Sequence, residues 1–391
     1  MYKKKTVLFY VSFLGLGGVA VALKNLIHEL EASGFECKIM LPYESLIDAP
    51  YQFDVVPKKY LVATAWKKPI RSNIFRQILK LLNILSGWRF FFMGVPKIEH
   101  DIFVVYQALG SEHWSRYSSK PSFGWSHGLA SKGSGFQGML TRWDKKNSLS
   151  KFTRLIAVSH NVAENWKALY QMRTLPEVVF NFFNVDQMIK DGSLPQGDIK
   201  PSNRAQLIFL GRLFREKGLL RLLKCLDKLL HDYRIHFDLW VVGRGKEEMR
   251  LREFLSKSSI ADNVHFLGYK ANPYPYLRAA DMLAVPSYEE GFGMVIWEAL
   301  LQECPVMATD AGGCAQALNN GKWGMVVKNE DSAIYDGLKR FFADKTVVYP
   351  HEDFDCIKNC IKKINDTNKQ MLVEMFSSSV GLMKALKRGC N

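Results

Sequence analysis

In the C-terminal half of this 391-residue chain, Glu290 and Glu298 stand eight positions apart, with Gly291-Phe292-Gly293 between them and an apolar run around the second. Ionised carboxylates only accept hydrogen bonds, so they suit ligands rich in hydroxyls, such as a ribose or a sugar. The glycines let backbone N–H groups approach a ligand, and a helix starting behind them points its positive end at an anion. Upstream, Arg212 and Lys217 flank the end of another apolar run. A guanidinium fork and a compact ammonium beside a helix N-terminus would hold a diphosphate. His127, next to Gly128, and the pair Gly17-Gly18 also follow apolar runs. Taken singly, each has an ordinary explanation: solvated loop cations, a structural histidine, chance spacing of glutamates. Their shared position at the ends of apolar runs is what gives them weight.

Those runs are the elements that must position them. Apolar segments at 6–13, 37–41, 53–56, 102–106, 122–125, 155–159 and 178–180 read as buried strands, with helical patterns at 19–32 and 161–170. After a Gly-, Pro- and Ser-rich stretch at 191–203 the alternation restarts, with strands at 206–210, 237–242, 264–267, 282–285, 306–309 and 325–327. Helical patterns at 218–230, 247–256, 293–301 and 332–342 fill the gaps. Two successive βα runs predict an α/β protein of two Rossmann-like, doubly wound parallel-sheet domains. Ligands of such sheets bind off the carboxyl ends of the strands, so two facing sheets would place the site in a cleft. The expected division is 1–190, a linker at 191–203, 204–350, and a helical segment at 351–391 that returns to the first domain.

Charge is shared unevenly. Residues 1–190 hold 25 Lys and Arg against 13 Asp and Glu, and the remainder 28 against 25. No acidic residue occurs in 55–98, where cations alternate with Trp66, Phe75, Trp88 and the run 90–92. A basic amphipathic segment with aromatic flanks is what an anionic membrane surface attracts, although a solvated helix face has the same pattern. Nucleic acid is a poorer partner for this charge, since no finger, basic zipper or RNP-like motif accompanies it. The seven cysteines are scattered, odd in number and without a CxxC pair, which points to a reducing, cytoplasmic setting. The basic, apolar start resembles a signal peptide, but Gly15, Gly17 and Gly18 interrupt it where a strand-to-helix turn belongs. No GxSxG, HExxH or Walker sequence is present, which disfavours serine hydrolases, zincins and P-loop enzymes. The one Asp-x-Asp, Asp353-Phe354-Asp355, does not end an apolar strand. No metal or cofactor is therefore expected, and phosphate charge falls to Arg, Lys and helix dipoles.

Together these segments resemble the GT-B glycosyltransferases of the family 4 type. The likeness is strongest over 207–331, in the Glu290/Glu298 pair with Gly-Phe-Gly, in 305–313 and in 321–327, and it extends back to Thr6. It implies a retaining hexosyltransferase that uses a nucleotide-diphosphate sugar, UDP-linked by expectation, and acts on a glycan or lipid-linked acceptor in surface polysaccharide or glycolipid assembly. It implies that Arg212 and Lys217 neutralise the diphosphate and that Glu298 binds the ribose. Glu290, with the backbone at Phe292, Gly293 and Met294, would hold the sugar. Gly17 and Gly18 match the family's glycine loop, His127 a histidine that approaches the reacting sugar, and Tyr269 and Lys270 the turn that reads the base. The expected location is the inner face of the membrane. Two positions depart from the pattern: Gln316 stands where the family often has Glu, and Asn181-Phe182-Phe183-Asn184 replaces an Asn-Pro turn. A GT-B phosphorylase, an epimerase, or a membrane-peripheral binding protein without turnover would share these residues.

Overall fold

The computed structural model describes residues 4–12, 17–43, 56–66, 95–108, 110–130, 143–195 and 203–388. They form two compact units, Met1–Phe182 with Asn365–Asn391, and Phe183–Ile364.

The first unit is built on a seven-stranded sheet: β1 (Lys5–Tyr10), β2 (Phe35–Tyr43), β3 (Leu61–Trp66), β4 (Ile102–Val105), β5 (Ser122–Ser126), β6 (Arg154–Ala157) and β7 (Glu177–Val178), in the order β3-β2-β1-β4-β5-β6-β7. Every pairing is parallel. Parallel sheets are covered on both faces, which is why β1 and β4 read as unbroken apolar runs and not as alternation. Helix α1 (Gly18–Ala32) buries Ala22, Leu23, Leu26, Ile27 and Leu30. Helix α2 (His160–Tyr170) begins at Ser159, whose side chain accepts from the Val162 N–H, a cap that offsets one of the helix's orphan donors.

The second unit opens with α3 (Val185–Gly192) and carries β8 (Ala205–Leu210), β9 (Phe237–Val242), β10 (Val264–Gly268), β11 (Met282–Val285), β12 (Val306–Thr309) and β13 (Met325–Val327). These are again all parallel, in the order β10-β9-β8-β11-β12-β13. The helices between them are α4 (Leu219–Tyr233), α5 (Glu248–Leu255), α6 (Tyr274–Ala279), α7 (Met294–Leu301), α8 (Cys314–Ala317) and α9 (Asp331–Ala343). Leu222 and Leu226 of α4 share a core with Leu207, Leu239, Ile334 and Leu338. Both sheets therefore have the doubly wound parallel topology expected.

Helix α10 (Phe354–Arg388) runs through both groupings, with its residues from Asn365 onward in the first unit. There Lys369 pairs with Glu29 at 2.8 Å, and Phe376 packs against Phe35 and Phe123 with centroids 6.0 and 4.7 Å away. Burying a Phe of this kind contributes about 2–3 kcal/mol.

Three expectations need correction. The boundary falls at 182/183 and not at 190. The amide of Asn272 donates to the Asp191 carbonyl at 2.9 Å, and that of Gln302 to the Met188 carbonyl at 2.9 Å, so α3 is fastened to the second unit. Its apolar residues Val185 and Met188 are buried, and Asn184 caps it by accepting from the Gln187 N–H; the helix runs to Gly192, into the first two residues of the expected linker 191–203, of which 196–202 lies outside the described residues. The third strand is Leu61–Trp66, whereas the one expected at 53–56 lies largely outside them. Its short apolar run was hidden by the lysines on both sides. Residues 67–94, the heart of the basic segment 55–98, also lie outside the described residues. Among the described residues no helix is long and apolar enough to cross a membrane.

Candidate active site

In a doubly wound sheet the strand order reverses at one point, and the loops on either side of it splay apart to leave a crevice. In the second unit that point lies between β8 and β11. The loop after β8 carries Arg212 and Lys217, and the loop after β11 carries Glu290.

Lys217 ends a short 3-10 turn (Arg215–Lys217) and is followed by Gly218 at φ 71°. A Cβ at 218 would lie 1.9 Å from the Pro286 carbonyl oxygen. Glycine is thus required twice over, by the left-handed backbone and by the closeness of the β11 loop. That approach brings Lys217 Nζ to 2.5 Å from Glu290 Oε2, with the two side chains 21 % and 13 % exposed. On its other side, Glu290 presents its carbonyl to the Gly313 N–H at 3.1 Å. Gly312, at φ 54°, is packed so tightly that a Cβ there would sit 1.7 Å from the same oxygen. The pair Gly312-Gly313 therefore exists to let the β12 turn lie against Glu290.

Gly293, at φ 77°, precedes α7. The Phe292 ring is buried and stacks on Trp297 at 5.5 Å and on Phe183 at 6.1 Å. Met294 is also buried. Glu298, one helical turn further into α7, is 7 % exposed, and burial pushes its carboxyl up to about 7. A carboxyl taken out of water holds its proton because the charged form loses hydration. Tyr274 of α6 is raised by its own burial and by the neighbouring Glu298 charge.

Arg212 behaves differently from Lys217. Its side chain is half exposed, pairs with Glu216 at 3.4 Å and lies over the Phe214 ring at 4.8 Å. Tyr269 and Lys270 follow β10, where Gly268 accepts from the Gly243 N–H at 2.8 Å and Lys270 lies 5.3 Å from the Tyr276 ring centroid.

In the first unit Gly17 (φ 144°) caps α1 and Gly18 begins it, with no acidic residue in the first turn. His127 follows β5, its ring 4.3 Å from Tyr106 and stacked on Trp125 at 6.3 Å. Burial lowers its pKa to about 3, opposed by a hydrogen bond to the Tyr106 backbone. Part of the residue's surface is exposed, yet Nε2 itself is out of water and, among the described residues, without a hydrogen-bond partner. The imidazole is therefore neutral. A neutral imidazole has one donor and one acceptor nitrogen, so Nε2 can serve as the acceptor.

The Asp353-x-Asp355 pair is structural: Asp353 accepts from the Cys356 N–H at 2.8 Å at the start of α10, and Asp355 from Lys358 at 3.2 Å. Among the described residues no group of three or more His, Cys, Asp or Glu converges as a metal site would.

Sequence reasoning missed Arg221, Tyr288 and Asn329, which meet behind the Lys217–Glu290 pair. The available signal was an arginine at 221 on the apolar stripe of α4, where an unpaired charge would be costly.

Comparison with known proteins bears on the family and the fold. The family described as glycosyl transferases group 1 matches residues 193–362. The chain is 32 % identical over 205 residues to phosphatidyl-myo-inositol mannosyltransferase of Mycobacterium leprae, covering 51 % of this chain and 50 % of that protein. It is 25 % identical over 202 residues to the putative teichuronic acid biosynthesis glycosyltransferase TuaC of Bacillus subtilis, covering 50 % and 48 %. The chain thus spans about half the length of these curated relatives. Among solved structures, Anabaena HepE in complex with UDP and glucose superposes with a TM-score of 0.70 at 18 % identity, over 96 % of this chain and all of that one. That likeness is one of fold.

Proposed function

We propose that this chain, whose residues 193–362 are a glycosyl transferases group 1 domain within a GT-B fold, moves a hexosyl group from a nucleotide-diphosphate sugar to a glycan or lipid-linked acceptor. One observation carries the reading: Lys217 and Glu290 meet at the strand-order reversal of the second sheet. Cleaving a glycosyl phosphate builds negative charge on the departing diphosphate and positive charge on the sugar. Lys217 has three N–H donors, of which Glu290 engages one, leaving two for phosphate oxygens. The backbone at Gly291–Gly293 adds donors at the head of α7. Such preorganised groups each supply roughly 3–4 kcal/mol of transition-state stabilisation. Glu290 accepts from sugar hydroxyls, Glu298 from the ribose, and Arg212 leaves Glu216 to join the diphosphate. Tyr269 and Lys270 lie on the turn assigned to the base. His127 accepts a hydrogen bond from a saccharide hydroxyl through Nε2, with Gly17 and Gly18 offering backbone N–H groups.

The UDP and glucose held by HepE favour a UDP-linked donor, and relatives named for teichuronic acid and phosphatidyl-myo-inositol favour surface polysaccharide or glycolipid assembly. Retention of anomeric configuration, no need for a divalent metal, and contact of 55–98 with an anionic membrane on the cytoplasmic side complete the proposal. The test is a panel of UDP-glucose, UDP-galactose, UDP-N-acetylglucosamine and GDP-mannose, with release of nucleoside diphosphate as the readout. Sugar-dependent release from at least one of them is expected. Failure of all four to bind or react would overturn the reading.

A further inference from the structure

We infer that Arg221 is a positioning residue that sets the geometry of the Lys217–Glu290 pair. The inference rests on the function just proposed and adds to it a residue that touches neither donor nor acceptor. Arg221 lies in the first turn of α4, four residues after Lys217, and only 3 % of it is exposed. Its Nε donates to Asp331 Oδ1 at 2.7 Å and its Nη1 to Asn329 Oδ1 at 2.6 Å, while the guanidinium lies 4.3 Å from the Tyr288 ring centroid. Asn329 in turn donates through Nδ2 to the Tyr288 carbonyl at 2.9 Å, and the Tyr288 N–H donates to the Glu216 carbonyl at 2.8 Å.

These contacts close a ring. One side of it ends at Glu216, the residue before Lys217; the other ends at Tyr288, two residues before Glu290. The ring thus ties the loop after β8, the loop after β11 and the turn after β13 together immediately behind the ion pair. A buried charge is costly unless well paired, and Asp331, mostly exposed, could pair with an exposed cation at far less desolvation cost. A planar, five-donor guanidinium can face three partners at fixed angles, and an ammonium cannot. Fixed angles matter because a misplacement of about 1 Å at a reacting centre costs roughly 10²-fold in rate. The effect belongs in kcat, since the interactions being aligned are those that strengthen as the diphosphate departs.

The experiment compares full-length wild type, Arg221→Met, Arg221→Lys and Tyr288→Leu, using whichever of the four nucleotide sugars the wild type turns over fastest. Arg221→Met is expected to lower kcat at least about tenfold with KM for the donor within about threefold, and Arg221→Lys to recover part of the loss. Tyr288→Leu, at a half-exposed position that tolerates substitution, is expected to lower kcat about threefold or more and decides the matter if Arg221→Met fails to fold. The inference is overturned if the folded variants keep kcat within about twofold of wild type well below their melting temperatures, or if KM alone rises. A wild type that turns over no nucleotide sugar would overturn the functional reading itself, an outcome distinct from equal turnover by wild type and variants.

Discussion

Both sheets reverse their strand order beside their first strand, β1 against β4 in one unit and β8 against β11 in the other, yet the side chains delivered beyond the strand ends differ in charge. In the second unit they are an ammonium and a carboxylate in contact, both mostly buried. In the first they are glycines at a helix start and a neutral imidazole between aromatic rings. One topology thus provides two kinds of place. Paired charges in a partly dry site suit a group whose own charge changes during reaction, whereas uncharged acceptors and aromatic faces suit hydroxyls and the apolar faces of a saccharide.

The sharpest way to break this contrast is to remove the charge. Lys217→Ala is expected to slow donor turnover roughly 10²–10³-fold, because the leaving diphosphate loses its fixed ammonium. Glu290→Ala should do comparable damage through the sugar, and the melting temperature of each should change by only a few degrees. Steady-state kinetics with the preferred donor, together with thermal melts, check both. Turnover within threefold of wild type in either variant would remove the pair from the chemistry.

Why some of this is legible in the sequence follows from burial. Strands β9, β11, β12 and β13 have the bounds their apolar runs predict, since a strand covered on both faces leaves an uninterrupted signature. Glu290 and Lys217 could be placed at strand ends for the same reason. What escaped notice depends on partners distant in the chain. Arg221 meets residues more than a hundred positions away, and although its place on the apolar stripe of α4 hints at burial, nothing local names those partners. The expected first domain takes in α3 up to residue 190 because the contacts that fasten it to the second, such as those of Asn272 and Gln302, come from far along the chain. Arg212 was expected to act together with Lys217, but its half-exposed side chain is engaged by Glu216 and Phe214. The carboxylate at 298 was legible as a residue within a helix, but not as a buried acid.

That buried acid gives the second unit a pH response opposite in sign to that of the buried, neutral His127 in the first. The Glu298 carboxyl is raised from an ordinary value of 4.5 to about 7 in the folded chain. Below about pH 4.5 folded and unfolded forms both hold the proton. Between 4.5 and 7 the folded form binds it more tightly, so stability falls as pH rises through this window, by about 3 kcal/mol when complete. Glu298→Gln should flatten that part of the dependence, and urea unfolding of wild type and variant at pH 5 and pH 8 measures the difference. Parallel behaviour of the two proteins would show that the carboxyl does not titrate in this range. The same variant should bind UDP more weakly than wild type above pH 7, where an ionised carboxylate would otherwise accept from both ribose hydroxyls.

His127 sharpens the comparison from the other side. With burial holding its pKa near 3, the imidazole carries no charge between pH 5 and 8, so it cannot act as the titrating acid or base of the reaction there. Its Nε2 can still accept one hydrogen bond, a contribution of about 0.5–1.5 kcal/mol. His127→Ala should therefore slow turnover only about three- to tenfold, and His127→Gln, whose amide oxygen also accepts, should recover part of that. The ratio of wild-type to His127→Gln rates should stay level across pH 5 to 8. An inflection near pH 6.5 in the wild type that vanishes in the variant would mean that the imidazole does gain a proton, and the first unit would then carry charge into the chemistry just as the second does.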